Sequence, residues 1–396
     1  MSCRSQIFLS FSRAAAVGIV VAALGGCGIA GWFSPGPEQS AVPPLAKGEK
    51  QVSIEKAWQA RLYGNWRMEP YNMTQIQVTS HTLLLSDNGD RLISLGPTGR
   101  QRWMRSLDGK SARGPAVSGG VAYIGTDSGK MYALKAANGH VLWKKELDSE
   151  ILSVPVVAKG HVLVQLANGH LLSMDAGTGA VQWTFSMTQP TLVLRTAAAP
   201  LVKDGIVYAG FADGHLAALG LQSGAELWRT TVALPHGNNE LARMVDVAAT
   251  PIAYRDSVIA ASYQGSLAAF GLQGGAQRWS IPMSVVLTPL LVGEHLYVAE
   301  ADGKIAAVDP RSGVVLWQND RLRGKNLGGF TFCDGDLVAT DTAGYVYVLD
   351  PNSGHRIGQR QISSSGIESQ PACTNTHHIL VMDAAGTLYQ LNLLRH

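Results

Sequence analysis

Acidic residues and histidines recur beside glycines along this chain, and they are the first candidates for chemistry. The aspartates that precede a glycine in this way are Asp127, Asp213 and Asp302, and the histidines that follow one are His140, His170, His215 and His355. Carboxylates at such places could bind calcium, and imidazoles could act as general bases. Aspartate is, however, favoured beside glycine in tight turns, because it tolerates left-handed backbone and bonds its own chain. The pattern therefore predicts that the aspartates are turn residues and the histidines solvated residues at strand ends, with no catalytic residue and no metal site.

The elements that position these residues are short strands in a repeat. The stretch from Pro115 to Trp143 predicts four strands, at about Pro115–Val117, Val121–Gly125, Lys130–Lys135 and His140–Trp143. The glycine of the turn between the second and third strands recurs eight times, at Gly89, Gly129, Gly169, Gly214, Gly265, Gly303, Gly344 and Gly386. This recurrence, spaced by 38 to 51 residues, predicts eight four-stranded antiparallel units.

The two ends of the repeat array are complementary. The glycine of the following turn recurs only seven times, so the eighth unit lacks its outer strand. An isolated strand-like segment, Ser53–Tyr63, precedes the first unit, and we expect it to supply that strand. A solenoid would instead need capping repeats at its ends. The chain is therefore predicted to be an all-β, eight-bladed β-propeller over residues 51–396, closed by an N-terminal strand that completes the last blade.

Tryptophan recurs at one place in the outer strand of six units. These residues are Trp103, Trp143, Trp183, Trp228, Trp279 and Trp317. A large amphipathic ring at this place predicts packing between adjacent blades, with the indole N–H bonded to the backbone. The seventh unit has Gly358 instead. We call the contact between two adjacent blades a seam, and this glycine predicts a looser seam beside the seventh blade.

Composition and charge exclude two classes of protein. The chain has 396 residues, of which 46% are hydrophobic and only 15% charged, so it is not a disordered protein. The formal net charge is +3, and no cluster of lysines and arginines is present. Nucleic acid is therefore not a predicted partner, because phosphate neutralisation supplies most of that affinity.

The four cysteines have different predicted fates. Cys3 belongs to an N-terminal leader, and Cys27 ends it. Cys333 and Cys373 fall near the first strands of two consecutive late units. A disulfide between neighbouring blades and two buried free thiols both fit that placement.

Residues 1–26 have the features of an export signal. Two arginines precede the apolar run Ala14–Leu24, which is too short to span a bilayer as a helix. The sequence Leu-Gly-Gly-Cys that ends at Cys27 resembles the lipobox of bacterial lipoproteins; an ordinary secretory leader is the alternative. The resemblance implies acylation of Cys27 and anchoring in the outer membrane, facing the periplasm. Residues 27–50 are rich in proline and glycine and predict a flexible tether with a reach of roughly 25 Å.

Two connections between blades are longer than the rest. The distance from tryptophan to the proline of the next unit is 10 to 12 residues at three connections, but 17 residues at Trp183–Pro200 and 23 residues at Trp228–Pro251. Both long connections leave consecutive blades at equivalent places, so we expect them side by side on one face of the ring. Insertions clustered on one face of a repeat protein usually mark its binding face.

The repeats themselves resemble those of the quinoprotein-type (PQQ) propellers. The segments that carry the resemblance are 174–183, 308–317 and 349–354, and it extends over residues 70–396. This superfamily includes PQQ-dependent dehydrogenases and the non-enzymatic BamB lipoproteins of the outer-membrane β-barrel assembly machine. A dehydrogenase would need calcium ligands, a catalytic carboxylate and commonly a vicinal cysteine pair, and none is visible in the sequence. The resemblance therefore favours the BamB branch, with no cofactor.

The long connections resemble the loops by which BamB proteins contact a periplasmic POTRA domain of BamA. A Leu-x-Leu-Arg element falls on Leu192, Leu194 and Arg195, while an Asp-x-Asp element matches at Asp246 and fails at Ala248. The resemblance implies Leu192, Leu194, Arg195 and Asp246 as partner-binding residues, and the composition of the second connection adds Arg243. Apolar side chains flanked by arginine and aspartate are typical of a protein-binding hot spot. The alternative is that these apolar residues fold back onto the propeller.

The resemblance implies a scaffold that docks BamA and other members of the assembly complex and assists insertion of outer-membrane proteins. Unfolded outer-membrane proteins would be further partners, and blade edges could offer them strand pairing. Two other functions remain as alternatives: a PQQ-dependent dehydrogenase-like periplasmic enzyme and a periplasmic glycan-binding propeller. A glycan binder would need an aromatic-lined pocket over the central channel.

Overall fold

A computed structural model describes residues 43–45, 51–62, 74–79, 82–87, 89–111, 113–195, 198–367, 369–374 and 378–396. The predicted signal peptide and Cys27 lie outside the described residues, as does most of the predicted tether. The described residues form eight four-stranded antiparallel sheets, which are the predicted blades of an all-β propeller.

Strand bounds follow the repeat. The N-terminal strand is β1 (Val52–Arg61). Blade 1 contains β2 (Gln77–Val78), β3 (Leu83–Ser86), β4 (Arg91–Leu95) and β5 (Gln101–Ser106). Blade 2 contains β6 (Ala116–Ser118), β7 (Val121–Gly125), β8 (Lys130–Lys135) and β9 (Val141–Glu146). Blade 3 contains β10 (Val156–Ala158), β11 (His161–Gln165), β12 (His170–Asp175) and β13 (Val181–Ser186). Blade 4 contains β14 (Leu201–Lys203), β15 (Ile206–Gly210), β16 (His215–Gly220) and β17 (Glu226–Thr231).

The second half of the ring repeats this arrangement. Blade 5 contains β18 (Ile252–Tyr254), β19 (Ser257–Ala261), β20 (Ser266–Gly271) and β21 (Gln277–Pro282). Blade 6 contains β22 (Leu290–Val292), β23 (His295–Ala299), β24 (Ile305–Val308) and β25 (Val315–Asn319). Blade 7 contains β26 (Leu327–Cys333), β27 (Asp336–Asp341), β28 (Tyr345–Leu349) and β29 (Arg356–Gln361). Blade 8 contains β30 (Ala372–Cys373), β31 (His378–Met382) and β32 (Thr387–Arg395), with β1 as its outer strand.

The predicted closure of the ring is confirmed. Strand β1 pairs antiparallel with β32 along its whole length, from Val52 opposite Arg395 to Arg61 opposite Thr387. The first and last parts of the fold thus share one sheet, so that blade 8 is as complete as the others.

The hydrophobic core lies between blades rather than at one centre. The middle strands are buried on both faces, because each blade is covered by a neighbour on either side. Between blades 2 and 3, for example, Tyr123 and Met131 of blade 2 pack with Val162 and Val164 of blade 3. Outer strands such as β9 are mostly exposed, since no further strand covers them.

The recurring tryptophans pack between adjacent blades, as predicted. Each of the six donates its indole N–H to a backbone carbonyl of the next blade, at 2.8 to 3.1 Å. The ring also lies flat on the turn glycine of that blade: a Cβ at Gly179, where φ is +71°, would lie 2.7 Å from the Trp143 ring. Among the described residues the pairs are Trp58–Gly99, Trp103–Gly139, Trp143–Gly179, Trp183–Gly224, Trp228–Gly275, Trp279–Gly313 and Trp317–Gly354.

The seam between blades 7 and 8 differs from the other seven, but the expectation that it is looser is wrong. Gly358 lets the backbones approach, because a Cβ there would lie 2.8 Å from the Val52 carbonyl oxygen. The amide of Gln51 donates to the Ile357 carbonyl at 2.9 Å. A disulfide also crosses this seam and joins Cys333 of β26 to Cys373 of β30. Of the two alternatives for these cysteines, a disulfide and two free thiols, the structure has the disulfide.

Candidate functional site

The two long connections lie side by side, as predicted. The first connection, residues 187–200, follows β13, and the second, residues 232–251, follows β17. The backbone N–H of Leu194 in the first connection donates to Oδ1 of Asp246 in the second, at 2.9 Å. The structure therefore brings both parts of the predicted partner-binding set together on one face of the ring.

The first connection presents its aliphatic residues and its arginine at the surface. Leu192 and Leu194 are half-buried, and the Arg195 side chain is 78% exposed. The Arg195 guanidinium donates to Oε2 of Glu150 at 2.5 Å. Glu150 belongs to the connection between blades 2 and 3, so an adjacent blade fixes the direction of the arginine.

Much of the second connection folds back onto the propeller. Arg243 is exposed, whereas residues 244–249 are buried. Val247 packs on Gly210, where an added Cβ would lie 2.3 Å from the valine Cγ1. Ala248 is 3% exposed, so the second position of the acidic element lies inside the core. The fold-back interpretation thus holds for this segment but not for the first connection.

Asp246 is buried beneath the first connection. Its side chain faces Leu194 and the residue is 2% exposed. Within the described part of the chain, Oδ2 has no hydrogen-bond partner. Burial raises the pKa of Asp246 to about 7, although the hydrogen bond from the Leu194 amide opposes this rise. A cavity of about 30 Å³ beside the carboxyl group is lined by Gln165, His170, Leu194 and Asp246, among other residues.

Three residues of these and the neighbouring connection lie outside the predicted partner-binding set. Leu234 and Leu241 of the second connection are 71% and 37% exposed. Their position in an insertion that the other repeats lack was a signal that could have identified them. Glu150 gave no such signal, because it lies in a connection of ordinary length.

Three aspartates that could have bound calcium are turn residues, as predicted. Oδ1 of Asp213 accepts the His215 amide at 3.2 Å, and Oδ1 of Asp302 accepts the Lys304 amide at 3.1 Å. Oδ1 of Asp127 accepts the Lys110 amide at 2.8 Å. In the described ranges, no group of three or more His, Cys, Asp or Glu side chains is placed to hold a metal ion. Those ranges also contain no helix long and apolar enough to cross a membrane.

Comparison with known proteins identifies the family. The profile of a family described as outer membrane protein assembly factor BamB matches residues 88–319 and 301–394, which together span most of the chain. The chain belongs to the BamB family. The BamB of Pseudomonas aeruginosa is 34% identical over 333 residues, covering 83% of this chain and 87% of that protein. The BamB of Escherichia coli K12 is 28% identical over 385 residues, covering 94% and 96%.

Solved structures agree with this fold. The crystal structure of BamB from Moraxella catarrhalis superposes with a TM-score of 0.77 at 24% identity, covering 86% of this chain and 99% of that one. A europium-containing methanol dehydrogenase also superposes, with a TM-score of 0.71 at 13% identity, covering 86% and 93%. At such identities these likenesses show the propeller fold alone, and the sequence relationship assigns the BamB family.

Proposed function

We propose that this BamB-family protein is a non-enzymatic scaffold of the outer-membrane protein assembly complex that docks a POTRA domain of BamA. The observation that best supports this proposal is the hydrogen bond between the two inserted connections, from the Leu194 amide to Asp246 Oδ1. The proposed surface combines Leu192, Leu194, Arg195 and the exposed Arg243, with Asp246 beneath it. We call these five residues the docking surface. The names of the relatives, outer membrane protein assembly factors, support a role in that complex.

The chemistry of this surface suits a protein partner. Leu192 and Leu194 are already half-buried, so completing their burial against a partner contributes about 1 kcal/mol each. Arg195 keeps its charge in solvent and can form a second ion pair beyond Glu150, since its guanidinium has five donors. An apolar centre with a charged rim is the usual anatomy of a binding hot spot.

The course of the N-terminal chain supports a tethered scaffold. Strand β1 begins at Val52, opposite Arg395 at the end of β32, whereas the two long connections leave the ring where outer strands end. The chain therefore enters the propeller on the face opposite the docking surface. With Cys27 acylated in the outer membrane and residues 27–50 as the tether, the docking surface remains open to a periplasmic partner.

A binding measurement tests the proposal. Immobilised periplasmic domains of BamA are titrated with the wild-type protein and with a Leu192→Ala/Leu194→Ala/Arg195→Ala variant. We expect roughly 100-fold weaker binding by the variant, because about 3 kcal/mol of contacts is removed. The melting temperature should change little, since the first connection lies outside the blades.

A matched control variant carries Leu142→Ala, Leu316→Ala and Arg278→Ala, on outer strands that neither long connection follows. Those leucines are 43% and 48% exposed, and Arg278, like Arg195, is paired with a carboxylate, that of Asp256. Undiminished binding by a folded docking-surface variant, or an equal loss in the control, would contradict the proposed site.

The dehydrogenase alternative finds little support in the cavity beside the innermost strands. That cavity, lined by residues that include Gln75, Arg113 and Gln370, has a volume of only about 40 Å³. That is space for water and far below the several hundred cubic ångströms of a typical cofactor site. Turnover of an alcohol or sugar after reconstitution with PQQ and calcium would overturn the non-enzymatic assignment.

A further inference from the structure

Asp246 is held rigidly by the propeller, whereas the segment it contacts belongs to a loop. Its carbonyl oxygen accepts the Tyr263 amide of blade 5 at 2.9 Å, and the next residue, Val247, donates its amide to the Phe211 carbonyl of blade 4 at 3.1 Å. Two blades thus fix the backbone on both sides of the carboxyl group. The Leu194 amide is therefore bonded to a fixed acceptor.

We propose that Asp246 is a positioning residue of the docking surface, whose buried carboxyl group holds Leu192 to Arg195 in place and whose protonation state sets how firmly they are held. The significance for docking rests on the proposed function, but the contact itself is a property of this chain alone. A residue that is 2% exposed acts on a partner through the segment above it rather than by direct contact.

Three features of the carboxyl group make its protonation matter. Oδ1 accepts the Leu194 amide, Oδ2 has no partner among the described residues, and the adjoining cavity has space for one water molecule. Ionisation therefore places a charge in a buried site where the backbone amides of Leu194 and of Asp246 itself do not offset the cost of burial. Release of the segment would expose the carboxylate to solvent, so ionisation favours release.

The direction of the pH effect follows from linkage. The pKa of Asp246 is about 7 when the segment is held, well above its ordinary value near 4 when exposed. At a pH between these two pKa values, the held state therefore binds more protons than the released state. The held state becomes less stable relative to the released state as pH rises from about 4 to 7. With these values, the ratio of held to released segment falls roughly 20-fold between pH 5.5 and pH 7.5 and changes little above that.

Other charged groups surround the carboxyl group, so the titration has to be assigned by substitution. Glu150 pairs with Arg195 in the first connection, and Arg243 lies three residues earlier in the second. Further titratable groups on the adjoining turns and in the second connection are Asp148, His170, Asp213, His215, His236, Glu240 and Tyr263.

Hydrogen exchange of the Leu194 amide measures the contact directly in the full-length protein. After correction for intrinsic exchange, we expect its protection factor to fall roughly 20-fold from pH 5.5 to pH 7.5 in the wild type. Asp246→Asn keeps an acceptor but cannot ionise, so its profile should be flat. Glu150→Gln should lower protection at every pH and leave the slope unchanged.

The outcomes separate the proposals. A flat wild-type profile, an equal slope in Asp246→Asn, or loss of the slope in Glu150→Gln would overturn the assignment to Asp246. Affinity for BamA periplasmic domains should follow the same pH dependence, and a pH-independent affinity despite a sloping exchange profile would overturn the positioning role in docking. Absence of BamA binding at every pH would contradict the proposed function alone, because exchange is measured without a partner.

Discussion

The disulfide at the seam between blades 7 and 8 should carry a large share of ring stability, and a Cys333→Ser/Cys373→Ser variant tests this. The seam is the only one in the described part of the ring without a tryptophan stacked on a turn glycine. Each partner is missing for its own reason: Gly358 replaces the tryptophan of blade 7, and blade 8 has no turn glycine because its outer strand, β1, is not joined to β32 by a turn. The innermost strand of blade 8, β30, is also only two residues long.

The size of the effect can be worked from the loop that the disulfide closes. The two cysteines are 40 residues apart, for which the chain-entropy estimate is about 4 kcal/mol at 25 °C. The entropy of unfolding is roughly 0.7 kcal/mol/K for a ring of about 350 residues, which converts 4 kcal/mol into a fall of about 5 °C in melting temperature. Seam contacts that remain, such as the 2.7 Å ion pair of Arg395 and Asp336, should keep the variant folded.

Calorimetry and hydrogen exchange together give the readout. We expect the serine variant and the reduced wild type to melt at the same lowered temperature, and reductant should not affect the variant further. Exchange should increase first in β26 and β30, whereas the seam between blades 2 and 3 should be unchanged. An unchanged melting temperature, or uniform loss of protection around the ring, would refute the view that the disulfide substitutes for the missing tryptophan.

Three further predictions concern the seams and the surface. Trp183→Ala should destabilise the protein by about 3 to 5 kcal/mol in chemical denaturation, because a buried ring and its 2.8 Å hydrogen bond are lost. Gly358→Val should cost about 1 to 3 kcal/mol in the same assay, since the added side chain meets the Val52 carbonyl. Leu234→Ser/Leu241→Ser should weaken BamA binding without lowering the melting temperature, because both side chains are exposed; unchanged affinity would place them outside the interface.

The fold could be predicted because the sequence pattern of one blade recurs eight times along the chain. Turn glycines, alternating strands and the tryptophan each recur at a fixed place, so an error in one unit is corrected by the others. The bounds of β7 and β8 agree with the prediction to the residue, whereas β9 begins one residue later and extends to Glu146. Outer strands are harder to delimit, because their exposed residues do not alternate in polarity.

The seam between blades 7 and 8 shows what the repeat pattern could not predict. The absence of tryptophan at Gly358 indicates a lost contact, but the replacement contacts come from residues at the two ends of the chain. Gln51, Val52 and Arg395 meet blade 7 only because the ring closes there. Such contacts have no local sequence signal, and the pairing of the two cysteines likewise depends on that closure.

The buried position of Asp246 changes how the acidic element of the second connection is understood. A carboxylate meant for a partner's cation should be exposed, since desolvation alone costs several kcal/mol for an unpaired ion. Asp246 instead accepts one amide under the first connection, and position 248 faces the core, where alanine avoids burying a second charge. In the proposed function, the surface cations Arg195 and Arg243 would meet a partner's charge. Complementarity then predicts an acidic patch beside an apolar one on the POTRA surface, and in this proposal Asp246 contributes by holding Leu192 and Leu194 in place.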